Sequence, residues 1–269
     1  MSAISIFLPR PGDPNWSARL TLLILVLLTA GELPALFLPP AAMVIHRLFH
    51  LLQMLWLIAL GFAIRHEIGH AAVFSPRLSR AEWQRVASLL VCGALLSFVG
   101  DVINAGVIDL TALLQPQTLL SIPPFAAAHG CYLAAFMLLS RAPLQGSTRL
   151  RGLTLAAVPL LAIGVWSCVI PADAPRLVIG ASLAYSFVLA AMVAGSLWVA
   201  WAWGRSGGSV ALGGVLFLLS DALLGYYLLR ERPFWAGQLI WSTYMLAQLL
   251  IQRSGLLYRP PAASRQAPS

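Results

Sequence analysis

The sequence predicts an all-α, polytopic integral membrane protein of eight transmembrane helices, and three observations carry that expectation. The 269 residues are 59% hydrophobic and only 10% charged, where ordinary globular chains carry about 25% charged residues. The mean hydropathy is +0.84. The apolar residues gather into runs of roughly 17–25, the length that crosses a bilayer core. All 17 basic residues are arginines, clustered in the short connections between runs. The net charge of +8 is therefore an orientation signal, and no nucleic-acid partner is implied.

The spans are expected at 20–38, 48–64, 86–106, 118–140, 152–170, 177–200, 209–229 and 235–252. The first begins near Leu20 without a small-residue cleavage site, so it is read as a retained helix and not a signal peptide. Residues 1–257 form one transmembrane domain on this reading, the first ten a short interfacial segment, and 258–269 a polar, proline-rich, disordered tail. The N-terminus, the even-numbered loops and the C-terminus hold 13 arginines against 4 in the odd-numbered loops. By the positive-inside rule both termini are cytoplasmic, as an even number of spans requires. Cys92, Cys131 and Cys168 fall inside apolar runs with no metal-like spacing and are expected to be small buried hydrophobes.

Two spans carry a carboxylate. Gly93-Ala-Leu-Leu-Ser-Phe-Val-Gly-Asp101 and Gly213-Gly-Val-Leu-Phe-Leu-Leu-Ser-Asp221 each place an aspartate eight residues after a glycine. A charged side chain at membrane depth costs at least about 2.5 kcal/mol, so matched aspartates point to a paired site, with interhelical packing as the structural alternative. Tyr132–Arg141 in span four also resembles Tyr244–Arg253 in span eight, again four helices apart, as a parallel four-plus-four repeat would produce. With a rise of about 1.5 Å per residue, Asp101 and Asp221 lie roughly 8 and 12 Å below the outer boundary, and His129, Tyr185 and Tyr244 roughly 12–17 Å below it. Convergence on a shared cavity is the cheaper arrangement for such groups, with Gln248 one turn from Tyr244. Glu32, near Pro34, is a weaker candidate at a helix end.

A rival motif, His66-Glu67-Ile-Gly-His70, is a literal H-E-x-x-H, which on a helix puts two histidines on one face for zinc with the glutamate as base. It would make the chain an intramembrane zinc metalloprotease. Arg65 and the arginine-rich second loop put the motif at the cytoplasmic edge, where an interfacial helix end is the structural alternative, and no third ligand is evident in the sequence. A lipid or proton-coupled transporter, with the aspartates as a proton relay, is the non-enzymatic alternative.

Five pieces in order, Ser97-Phe-Val-Gly-Asp101, Ala128-His129-Gly-Cys-Tyr132 with Phe136, Tyr185 with Met192, Ser220-Asp221-Ala-Leu-Leu224 and Thr243-Tyr244-Met-Leu-Ala-Gln248-Leu-Leu-Ile251, resemble the YhhN family of polytopic membrane proteins over about residues 86–252. Spans one and two match less well. The Lys-Pro pair that often opens the family's second span is replaced by Phe49-His50 in a chain without lysine. The family's characterised animal members are lysoplasmalogenases, so the resemblance implies hydrolysis of the vinyl ether of a lysoplasmalogen or related lysophospholipid to a fatty aldehyde and a glycerophospho-base. Membrane lipids would be further partners, and no metal or organic cofactor is expected. Vinyl-ether cleavage needs a neutral carboxylic acid to protonate the alkene carbon and a base to guide water, much like the paired carboxyls of glycosidases. Low-dielectric surroundings favour a neutral carboxyl, and two close carboxyls share one proton more readily than none. Asp101 and Asp221 are the expected acid–base pair. His129, Tyr185, Tyr244 and Gln248 would orient water or steady developing charge.

Overall fold

The computed structural model describes residues 16–35, 43–72, 75–114, 117–141, 148–171, 173–230, 233 and 235–259. Among these are eight long helices and no strand: α1 (Trp16–Ala35), α2 (Met43–His70), α3 (Arg80–Asn104), α4 (Ile122–Leu139), α5 (Thr148–Val169), α6 (Arg176–Trp203), α7 (Arg205–Leu228) and α8 (Ala236–Gln252). A 3-10 turn, Gln117–Ser121, leads into α4, and another, Arg253–Tyr258, follows α8. Helix starts follow local chemistry. Ser79 and Glu82 form a reciprocal capping box before α3. Pro123 and Pro124 occupy the first turn of α4, where their missing N–H groups cost nothing.

Six of the eight helices, α2 to α7, are long and apolar enough to cross a membrane. The expectation of eight such spans therefore holds for six. α8 has 17 residues and buries Gln238, Gln248 and Gln252; α1 bears Arg19 and Glu32 towards its two ends.

The outer surface is apolar, as lipid requires: Leu153, Leu155 and Leu160 of α5 are 61%, 60% and 75% exposed. The cysteines share this placement. Cys92 and Cys168 are exposed and Cys131 half-buried, correcting their expected burial. A helix with lipid on one side and protein on the other is apolar on both, so an apolar run does not tell which face a cysteine takes.

Helices α2, α3, α4, α6, α7 and α8 pack in that order into a closed ring, with α1 outside against α2 and α8 and α5 outside against α6 and α7. Lipid tails match the apolarity of the side chains, so such rings are held by close packing and interhelical hydrogen bonds. Both aspartate helices use glycine for this. A Cβ on Gly93 would sit 2.2 Å from the Tyr132 ring of α4, and one on Gly213 would sit 3.1 Å from the Ala247 carbonyl oxygen of α8. The recurring glycine eight residues before each aspartate is thus a point where the next helix comes in close.

The end of the bundle away from the aspartates is closed by aromatic and ionic contacts. Fully buried Trp83 meets Trp203 and Tyr258 edge-on at 5.7 and 6.3 Å. Trp203 donates from Nε1 to the Leu139 carbonyl at 2.9 Å, and Arg77 stacks on the Trp203 ring while donating to the Ala202 carbonyl. Arg259 Nη2 pairs with Glu67 Oε2 at 2.6 Å and donates to Ser17 Oγ at 3.0 Å. The Ser17 backbone N–H donates to Glu67 Oε1 at 3.1 Å. Tyr258 and Arg259 therefore belong to the packed structure and not to the tail expected from residue 258; residues 260–269 and the proposed interfacial segment at the N-terminus lie outside the described residues. Arg259→Ala is expected to lower stability by about 1 kcal/mol, a partly exposed pair's contribution, read as a lower unfolding midpoint in detergent.

Candidate active site

Five helices deliver the polar groups. Asp101 comes from α3, His129 and Tyr132 from α4, Tyr185 from α6, Asp221 from α7, and Tyr244 and Gln248 from α8. They form two hydrogen-bonded strings, each ending on one aspartate.

In the first, Tyr132 Oη donates to Gln248 Oε1 at 2.6 Å, and Gln248 Nε2 donates to Tyr244 Oη at 3.1 Å. Tyr244 Oη in turn donates to Asp101 Oδ2 at 2.8 Å. All four residues are buried, and Asp101 is 7% exposed. In the second, Tyr185 donates its hydroxyl proton to Asp221 Oδ2, and His129 Nε2 lies 2.8 Å from Tyr185 Oη. The Tyr185 proton is directed at Asp221, so His129 Nε2 must be the donor to the Tyr185 oxygen. Its Nδ1 is buried without a partner. His129 and Asp221 themselves stand 3.6 Å apart, beyond hydrogen-bond length.

Phe217 of α7 separates the strings, edge-on to His129 at 4.6 Å and to Tyr244 at 5.3 Å. The two aspartates do not touch, yet each lies within electrostatic reach of the other. Their surroundings differ. A cavity of about 430 Å³ opens between α4, α5, α6 and α7, walled by Phe125, Trp166, Leu189 and the hydroxyls of Ser182 and Ser186, and Tyr185 and Asp221 lie on its surface. It runs from there to Asn104 and Thr118 in the α3–α4 region and to Tyr227 and Leu229 at the end of α7. Asp101 is not part of its wall.

The sequence-predicted residues Asp101, His129, Tyr185, Asp221, Tyr244 and Gln248 are thus brought together, as two strings and not as one adjoining carboxyl pair. Tyr132 and Phe217 were not among them. Tyr132 carried a signal, its register with Tyr244 in the suspected repeat; Phe217 is one apolar residue in an apolar helix and carried none. Behind Tyr244 lies a further, partly buried group. His50 Nε2 is 3.0 Å from Glu32 Oε1, its ring stacks on Trp241 at 4.1 Å, and Trp241 Nε1 donates to Gln53 Oε1 at 2.7 Å. Trp241 packs 5.2 Å from Tyr244, so this group supports the Asp101 string from outside.

The H-E-x-x-H residues sit at the opposite end. His66 and His70 stack at 4.2 Å, and His70 Nδ1 contacts the His66 carbonyl at 2.9 Å. Both Glu67 carboxylate oxygens are engaged by Ser17 and Arg259. Among the described residues no third histidine, cysteine or carboxylate joins them.

The YhhN family model matches residues 45–255 of the chain. A curated relative, lysoplasmalogenase TMEM86B of Sus scrofa, is 35% identical over 164 residues, which is 60% of this chain and 61% of that protein. The match thus spans under two thirds of the relative's length. No solved structure matches the chain.

Proposed function

The chain belongs to the YhhN family, and from that membership we propose that it is a membrane-embedded hydrolase of the vinyl ether in a lysoplasmalogen or closely related lysophospholipid. The observation that carries the reading is a carboxyl, Asp221, on the surface of a largely apolar cavity inside the bundle. An amphiphile with one hydrocarbon chain fits such a space, and the curated relative bears the name of that activity.

The geometry supports the following chemistry. Protonated Asp221 gives its proton to the alkene carbon, and the ether oxygen stabilises the resulting oxocarbenium ion. Water attacks the cationic carbon and returns a proton to the Asp221 carboxylate, leaving a hemiacetal that collapses to aldehyde and alcohol. Tyr185, bonded to Asp221 and fixed by His129, holds the carboxyl in one orientation through both transfers. Asp101 is the second carboxyl of the pair: it lies within electrostatic reach of Asp221, while Tyr244 and Gln248 hold it in place.

Eight membrane crossings with both termini cytoplasmic complete the proposal. Arginine counting supports the orientation. A four-plus-four repeat gains support from α3 and α7, each packed through its glycine against the following helix.

The test is fatty-aldehyde release from an alkenyl lysophospholipid by purified protein in detergent. Release is expected to survive chelator, and His66→Ala and His70→Ala should each stay within about twofold of wild type, since general acid–base catalysis needs no metal. Absence of release from folded protein would reject the assignment, and loss with chelator would return attention to His66 and His70.

A further inference from the structure

At the end of the bundle away from the aspartates, a groove of about 710 Å³ runs along the outer faces of α2, α3 and α4. Its polar part is made by Arg65 of α2 with Gln84, Arg85 and Ser88 of α3. Arg65 Nε donates to Ser88 Oγ at 3.0 Å, a bond between helices that fixes the guanidinium over the groove. An arginine has five N–H donors, so four remain on Arg65 for another partner. Neither Arg65 nor Arg85 is in an ion pair among the described residues. Glu82, the nearby carboxylate, accepts instead from the Ser79 backbone N–H and hydroxyl at 2.9 and 2.8 Å.

The groove then changes character along one stripe of α3. Gln84, Arg85 and Ser88 give way to Leu89 and Cys92, joined by Leu138 of α4. Seven residues separate Arg85 from Cys92, about 10 Å of helix. Charge at the helix end followed by apolar surface toward mid-membrane is the order of a phospholipid, phosphate first and acyl chain after. The groove's wall carries two arginines and no carboxylate, which selects for net negative charge.

We propose that this groove binds one anionic phospholipid, with its phosphate between Arg65 and Arg85 and an acyl chain along Leu89, Cys92 and Leu138. The site is independent of the cavity at Asp221.

The test titrates full-length protein in uncharged detergent with phosphatidylglycerol, phosphatidylcholine or glycerol 3-phosphate and follows the thermal midpoint. Phosphatidylglycerol is expected to raise it, and the other two are not. Arg65→Gln with Arg85→Gln should weaken the apparent affinity by about thirty-fold, the expected loss of two arginine contacts to an anionic lipid. Cys92→Phe, which fills the apolar part and leaves both arginines in place, should weaken it as well and serves if the double variant does not fold. An equal rise with phosphatidylcholine would overturn the charge selection. An equal rise with glycerol 3-phosphate would show a simple anion site, and an unchanged response in both variants would place the lipid elsewhere.

Discussion

Asp221→Asn is expected to reduce aldehyde release by about 10³-fold or more, within the range that a positioned acid–base group contributes. Asparagine keeps the shape and can still accept from Tyr185, so the protein should fold; it has no proton to give to an alkene carbon at neutral pH. Asp101→Asn separates the roles of the two carboxyls. Asp101 is buried and is not part of the cavity wall, so its loss should cost only about 10–100-fold, at or below the lower end of what a positioned acid–base group contributes. Equal losses in the two variants would mean that Asp101 meets the substrate directly. A fully active Asp221→Asn protein would remove the carboxylate mechanism altogether.

The second large effect concerns the fold beneath the site. Gly93→Ala is expected to destabilise the protein by about 2–3 kcal/mol, the upper part of the range for an overpacked core, and to abolish most activity. The new methyl would stand 2.2 Å from the Tyr132 ring, and that ring cannot yield, being fully buried with its hydroxyl held by Gln248 at 2.6 Å. Any displacement passes along Gln248 and Tyr244 to Asp101. Gly130→Ala, on α4 where nothing lies within 4 Å, is the control and should be near neutral. Tyr132→Ala should relieve the clash, making the cost of Gly93→Ala smaller in that background, a coupling that unfolding midpoints of the four proteins would read. Independent, additive effects would mean that Gly93 does not act through Tyr132.

The site's residue types were legible in the sequence because a carboxylate, an imidazole and tyrosines stand out against hydrocarbon. Helix positions were legible for the same reason: arginine and proline mark where apolar runs stop. Partnership was not. Depth put Asp101 and Asp221 in one slab, but nothing in an evenly apolar helix says that Phe217 will point between them or that only Asp221 will face the cavity. The exposed cysteines were misread on the same ground, since lipid and protein interior accept the same side chains. Tyr258 and Arg259 were assigned to the tail from its composition, yet one aromatic ring against Trp83 and one guanidinium on Glu67 are enough to order them. The close glycines lie between these cases. Their recurrence was visible, and its steric purpose became clear only when Tyr132 and Ala247 were found against them.

The contact between Ser17 and Arg259 joins residues 242 positions apart, which sets a timetable for biogenesis. At about 5–20 residues per second, the ribosome delivers Arg259 roughly ten to fifty seconds after Ser17. Glu67, made 50 residues after Ser17 and 192 before Arg259, lacks its cation until then. The bond between the start of the first described helix and the turn after α8 can therefore close only once α2 to α8 have all been made, so it is a late contact in assembly.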